Sequence, residues 1–138
     1  MMFADSVVIA APAAEVFEVY ADVERWPEWT ASMTTVRRLD SGQFGIGSAA
    51  RIKQPRLPEV VWTVTDFQPG RSFTWVARSP GVLSTARHNV DNAEAGCLVR
   101  MSVQQQGPVG LLIGSLSRGL TKRYLALEAA GLKRLCEA

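Results

Sequence analysis

The sequence predicts an α+β fold in which an antiparallel, curved sheet of six to seven strands wraps around a long C-terminal helix, with two short helices after the first strand. Three observations carry this. From Pro108 to Cys136, Ile113, Leu116, Leu120, Tyr124, Leu127, Gly131 and Leu135 recur three or four apart, the period of one helical face. Ser115, Arg118, Lys122, Ala126, Ala129 and Lys133 fall on the opposite face. Upstream, apolar and polar residues alternate as strands do, and glycine or proline punctuates them at roughly ten-residue spacing. Only one stretch near the N-terminus breaks that alternation with a helical period.

In chain order, Phe3 to Ala10 is apolar and β-branched, as a first strand requires. Ala11-Pro12 opens a helix whose Glu15 and Glu18 favour the positive end and whose Val16, Phe17, Tyr20 and Val23 form a buried face. That helix ends near Asp22. Pro27, between Trp26 and Trp29, breaks helical continuity and begins a second short turn. Thr34 to Asp40 and Ser48 to Gln54 read as strands joined by the glycine-rich Ser41–Gly47, and Pro55-Arg56-Leu57-Pro58 is a rigid loop suited to the rim of a pocket. Val60 to Gln68 and Arg71 to Arg78 form a hairpin about Pro69-Gly70. Val82 to Asn92 and Cys97 to Gln106 complete the sheet. Gly107-Pro108 then starts a helix of about 28 residues, on the order of 40 Å long. Gly114, Gly119 and Gly131 weaken it by up to about 1 kcal/mol each relative to alanine, which points to close packing or to space for a guest.

Alternation also assigns faces. Trp62 with Val64, Phe73 with Trp75, His88 with Val90, and Val99 with Met101 and Val103 turn towards the helix. Thr63, Thr65, Thr74, Arg87, Arg100 and Ser102 suit water.

A chain of 138 residues suffices for one core and is expected to form a single domain over 1–138. With 47% hydrophobic and 20% charged residues, it has the composition of a soluble globular protein, and no apolar run reaches the roughly 20 residues that cross a bilayer. Asp5 interrupts the apolar start and no basic segment precedes it, so no secretory signal is expected and the cytoplasm is the default location. The net charge of +2 lacks the dense Lys/Arg stripe of a nucleic-acid binder. The basic outer side of the helix, Arg118, Lys122, Arg123, Lys133 and Arg134, reads as a solvated face. Cys97 and Cys136 lie far apart and do not suggest a disulfide framework. Composition leaves monomer and homodimer equally open.

The element order carries a family resemblance. Its local carriers are Ala11-Pro12-Ala13-Ala14-Glu15-Val16-Phe17, Trp26-Pro27 with Trp29, the hairpin Trp62 to Arg71, and Gly96-Cys97-Leu98-Val99. Together they resemble the helix-grip fold of the START/Bet v 1-like superfamily, in particular its polyketide cyclase/dehydrase-type SRPBCC family, over nearly the whole chain. Cys97 departs from the threonine that commonly follows that glycine. The resemblance implies a mostly apolar cavity between sheet and terminal helix that takes lipids, steroids, polyketides or similar molecules. It implies no shared catalytic motif.

The candidate wall residues are Trp62, Trp75, His88, Met101, Leu120 and Tyr124, the aromatics supplying area and His88 and Tyr124 orienting a small hydrophobic ligand. An alternative makes the protein a cyclase or dehydratase in which His88 or Tyr124 transfers protons, with Asp66 the nearest inward carboxylate. The catalytic residues of such an enzyme are unknown. One histidine and no ligand-spaced Cys/His/Asp/Glu cluster make zinc improbable, and neither metal nor cofactor is expected. No Gly-x-Ser-x-Gly elbow, phosphate loop or dinucleotide fingerprint is present.

Overall fold

Strand alternation and turn chemistry resolve into one antiparallel sheet in the computed structural model, which describes all residues from Met1 to Ala138. The elements are β1 (Met2–Ile9), α1 (Ala13–Ala21), a 3-10 turn (Val23–Arg25), α2 (Trp26–Trp29), β2 (Thr35–Arg38), β3 (Ala49–Lys53), β4 (Val60–Gln68), β5 (Ser72–Ser79), β6 (Val82–Ala93), β7 (Gly96–Gln106), α3 (Gly110–Leu116) and α4 (Arg118–Cys136). The seven strands lie in the order β1-β7-β6-β5-β4-β3-β2, so the first strand closes onto the last and the remainder form a meander. The β4–β5 connection is tight as its dipeptide demands. Arg71 N–H donates to Gln68 O at 2.9 Å, and Gly70 takes φ +76°, the conformation a type II turn places there.

The inward faces follow the alternation. Val64, Phe73, Trp75, His88, Val90, Val99 and Met101 are buried, whereas Thr65, Arg87 and Arg100 are exposed. Helix α1 adds Val16, Phe17 and Tyr20 to this core, and the bent pair after it adds Val23, Trp26 and Trp29. Both cysteines are free thiols.

The terminal helix departs from expectation in two ways. It is two helices, because Ser117 leaves helical geometry (φ −99°, ψ 9°) and its hydroxyl donates to Ile113 O at 2.7 Å, a side-chain bond that competes with the ladder and bends helices. The buried stripe is also rotated. Helix α3 seats its smallest residues, Gly110 and Gly114, against the end of β7 and leaves Leu111, Leu112 and Leu116 in solvent, Leu116 being 77% exposed. In α4 the inward set is Leu125, Glu128, Ala129, Gly131 and Leu132. Ala129 is therefore inside, against the assigned outer face, and Leu135 is outside.

The far end of α4 is clasped. A Cβ on Gly131 would stand 2.0 Å from Trp29 O, so the helix meets α2 backbone to backbone there. Lys133 Nζ donates to Val8 O at 3.1 Å, and Ala10 N–H donates to the Glu137 carboxylate at 2.8 Å.

Candidate functional site

The near end of α4 is not clasped, and between it and the sheet lies a cavity of about 400 Å³. Its exposed and half-buried lining includes Leu57 and Pro58 from the β3–β4 loop, Ser79 and Pro80 at the β5–β6 turn, and Val109 and Ile113 around the start of α3. Of the loop Pro55 to Pro58, expected at a pocket rim, Leu57 and Pro58 line the cavity. The loop is pinned, since Lys53 Nζ donates to the carbonyls of Gln54 and Leu57. Met33, Trp62 and Val103 are half-buried lining residues, and Trp26, Ile52, Trp75, His88, Met101 and Glu128 form its buried part.

Five of the six wall candidates, Trp62, Trp75, His88, Met101 and Tyr124, border this cavity. Leu120 does not. The break at Ser117 rotates α4 so that Thr121, Tyr124, Leu125 and Glu128 face the space, and Leu120 is half-buried beside it. Tyr124 contributes its ring, while its hydroxyl donates to Pro55 O and so ties α4 to the rim loop.

His88 is 4% exposed and lies on β6 between Phe73 of β5 and Met101 of β7. Its imidazole stacks on Phe73 with centroids 4.2 Å apart and planes 15° apart. Nδ1 is 3.2 Å from Phe73 O, and because a carbonyl only accepts, Nδ1 carries the proton and Nε2 presents a lone pair. Burial pushes the imidazole down to about 4, opposed by that bond to Phe73 O, so the ring is neutral at pH 7.

The sequence reading missed the strongest polar feature. Glu128 is 6% exposed, lines the cavity and accepts a hydrogen bond at Oε2 from the hydroxyl of Tyr20, which is itself fully buried on α1. Burial lifts this carboxyl to about 7, the Tyr20 bond pulling the other way. Tyr20 in turn is raised well above its ordinary value, chiefly by burial and then by the Glu128 charge and hydrogen bond. The Tyr20 ring meets His88 edge-on at 5.1 Å, so one aromatic side chain connects the two titratable groups. The available signal was spacing: Thr121, Leu125, Glu128 and Leu132 recur at helical period.

Asp66, expected as the inward carboxylate, is exposed. A β-bulge between Val64 and Asp66 inserts one residue, so Val64 pairs with Trp75 but Asp66 pairs with Thr74. Thr65 and Asp66 both face water, and Phe67 turns inward against Phe17, 5.8 Å between centroids. A separate depression of about 440 Å³ between α1, α2 and the end of α4 lies outside the grip; its Arg25 is already paired with Glu28 at 3.0 Å. No group of three or more His, Cys, Asp or Glu side chains is placed to hold a metal ion. No helix is long and apolar enough to cross a membrane.

Residues 2–137 match the family described as polyketide cyclase / dehydrase and lipid transport. Among solved structures, a START superfamily protein from Mycobacterium smegmatis superposes with a TM-score of 0.73 at 17% identity, covering 97% of this chain and 98% of that one. A hypothetical protein from Helicobacter pylori gives a TM-score of 0.84 at 10% identity, covering 99% and 88%. The di-domain ARO/CYC BexL from the BE-7585A biosynthetic pathway gives 0.73 at 17% identity, covering 96% of this chain and 46% of that one. At such identities the likeness is one of fold alone. No curated protein matches the sequence.

Proposed function

This chain belongs to the polyketide cyclase/dehydrase and lipid transport family of START/Bet v 1-like folds, and on that premise we propose that it binds one small hydrophobic or amphipathic molecule, lipid-, steroid- or polyketide-like, in its cavity. The observation that carries this is a mostly apolar, aromatic-walled space of about 400 Å³ interspersed with polar side chains, among them the buried His88 and Glu128, the usual make-up of a small-molecule site. At the packing density of protein interiors, about 0.74, it suits a guest of roughly 300 Å³. In this reading residues 1–138 act as one ligand-binding domain in the cytoplasm, without nucleic acid, metal or cofactor. Native mass spectrometry with a panel of lipids and aromatic polyketides tests it. A retained, stoichiometric guest displaced by Trp75→Ala or by filling the wall with Ala86→Phe supports the reading, and no retained member of the panel defeats it.

A second reading makes the same cavity the active site of a cyclase or dehydratase. Its basis is the His88 tautomer, which leaves Nε2 free to take a proton from a confined substrate, although burial, by pushing the imidazole down to about 4, makes it a weak base at pH 7. Tyr124 fits that role less well because its hydroxyl is engaged with Pro55 O. Turnover of a polyketide-like substrate that survives both His88→Ala and Tyr124→Phe would rule this reading out.

A further inference from the structure

The cavity wall is unusual in its charges. It contains no lysine or arginine, and its single ionisable acid is Glu128. Charged groups are seldom buried without a partner, and here the carboxyl has only the Tyr20 hydroxyl, on Oε2. No protein donor meets Oε1. Across the same Tyr20 ring, His88 spends Nδ1 on Phe73 O and has no donor for Nε2. Gln54, Ser84, Gln105 and Thr121 add neutral polar groups elsewhere on the lining, but among the buried residues Glu128 and His88 offer two hydrogen-bond acceptors, and the wall offers no cation.

Resting on the ligand-binding reading above, we propose that the cavity selects an uncharged guest with a hydroxyl head, a phenol or alcohol on an apolar body, whose O–H is received by Glu128 at the buried end beside His88. The aromatic surfaces of Trp26, Trp62 and Trp75 cover the body of such a molecule. A carboxylate or phosphate head is disfavoured twice over. It would lose its hydration with no counter-charge in reach, and it would face the Glu128 carboxyl. A bare hydrocarbon fits the walls but leaves both acceptors unmet, and a site built to bond a hydroxyl rejects the analogue that lacks it.

The test compares three probes on one skeleton, phenanthrene, hydroxyphenanthrene and phenanthrene carboxylate, by titration against the native protein at pH 8, above the value of about 7 to which burial lifts Glu128, so that its carboxyl is ionised. The hydroxyl compound should bind at least about tenfold tighter than either of the others, the factor one charge-assisted hydrogen bond supplies. Equal affinity of hydrocarbon and hydroxyl compound overturns the proposal while leaving apolar binding intact. Tighter binding of the carboxylate overturns it as well. Failure of all three to bind removes the ligand-binding reading together with the proposal. The double variant Tyr20→Phe, Glu128→Met, which takes away both members of the pair and orphans neither, should keep phenanthrene binding and lose the preference for the hydroxyl. Retention of that preference refutes the assignment to Glu128, and the native-protein series decides the hydroxyl selection even where the variant does not fold.

Discussion

Replacing Glu128 by glutamine should make the protein more stable at neutral and alkaline pH, and the gain should vanish in acid. Lifting a carboxyl from its ordinary 4.5 to about 7 means that between those values the folded chain holds a proton the unfolded chain has released. Raising the pH through this window therefore favours unfolding, and the stability that Glu128 contributes below pH 4.5 is lost progressively as pH approaches 7. At about 1.36 kcal/mol per pH unit the full loss is about 3 kcal/mol. Glutamine keeps an oxygen for the Tyr20 hydroxyl but does not titrate. Urea denaturation of both proteins should show a difference that is flat below pH 4.5, widens with pH, and reaches about 3 kcal/mol in favour of Glu128→Gln above pH 7, a rise in Tm on the order of 10 °C. A difference that stays constant from pH 4 to pH 8 would show that the carboxyl is solvated or paired in the fold, and would refute the reasoning.

His88 should show the opposite slope. Its imidazole, held at about 4 against an ordinary 6.5, costs stability as pH falls, because the unfolded chain takes up the proton first. His88→Asn, which preserves a donor for Phe73 O, should gain about 3 kcal/mol relative to the native protein between pH 7 and pH 4 in the same denaturation series, and parallel curves would contradict this. Gly131→Ala should lower stability by about 1–3 kcal/mol by forcing α4 off Trp29 O, while Gly119→Ala, whose Cβ meets nothing within 4 Å, should raise it by up to about 1 kcal/mol; calorimetric Tm values check both. Leu132→Ala should cost about 2–5 kcal/mol and Leu116→Gln within about 0.5 kcal/mol, an order that reverses if α3 and α4 form the continuous amphipathic helix of the sequence pattern.

Most of the sheet was legible because one face of an antiparallel sheet is buried, and burial imposes a period of two that a single sequence displays. Trp75, His88 and Met101 lie inward for that reason. The bulge at Val64 and Asp66 carries no such mark, since one extra residue shifts the phase without changing composition, and alternation alone puts Asp66 on the wrong side. The terminal helix was misread where small residues decide its face. Gly110 and Gly114 pack because they are small, and hydropathy counts them as weak evidence against the leucines beside them. Glu128 was missed for a related reason. A hydropathy pattern assigns every carboxylate to water, and only the tertiary pairing with Tyr20, 108 residues away in sequence, makes an inward position tolerable.

The two halves of α4 explain why a space exists at all. Its C-terminal half is fixed by Gly131 against Trp29, by Leu132 in the core and by Lys133 and Glu137 on the end of β1. Its N-terminal half reaches the core through Leu125 and is tied outward through the Tyr124 hydroxyl on Pro55 O and through α3 beyond Ser117. A helix held at one end and propped at the other spans the interval without collapsing into it. Glu128 lines that interval, where replacing it together with its Tyr20 partner by well-packed apolar side chains is expected to be neutral or stabilising at pH 7. If the proposed ligand binding holds, a residue that weakens the empty fold and lines the cavity has its role in the filled one.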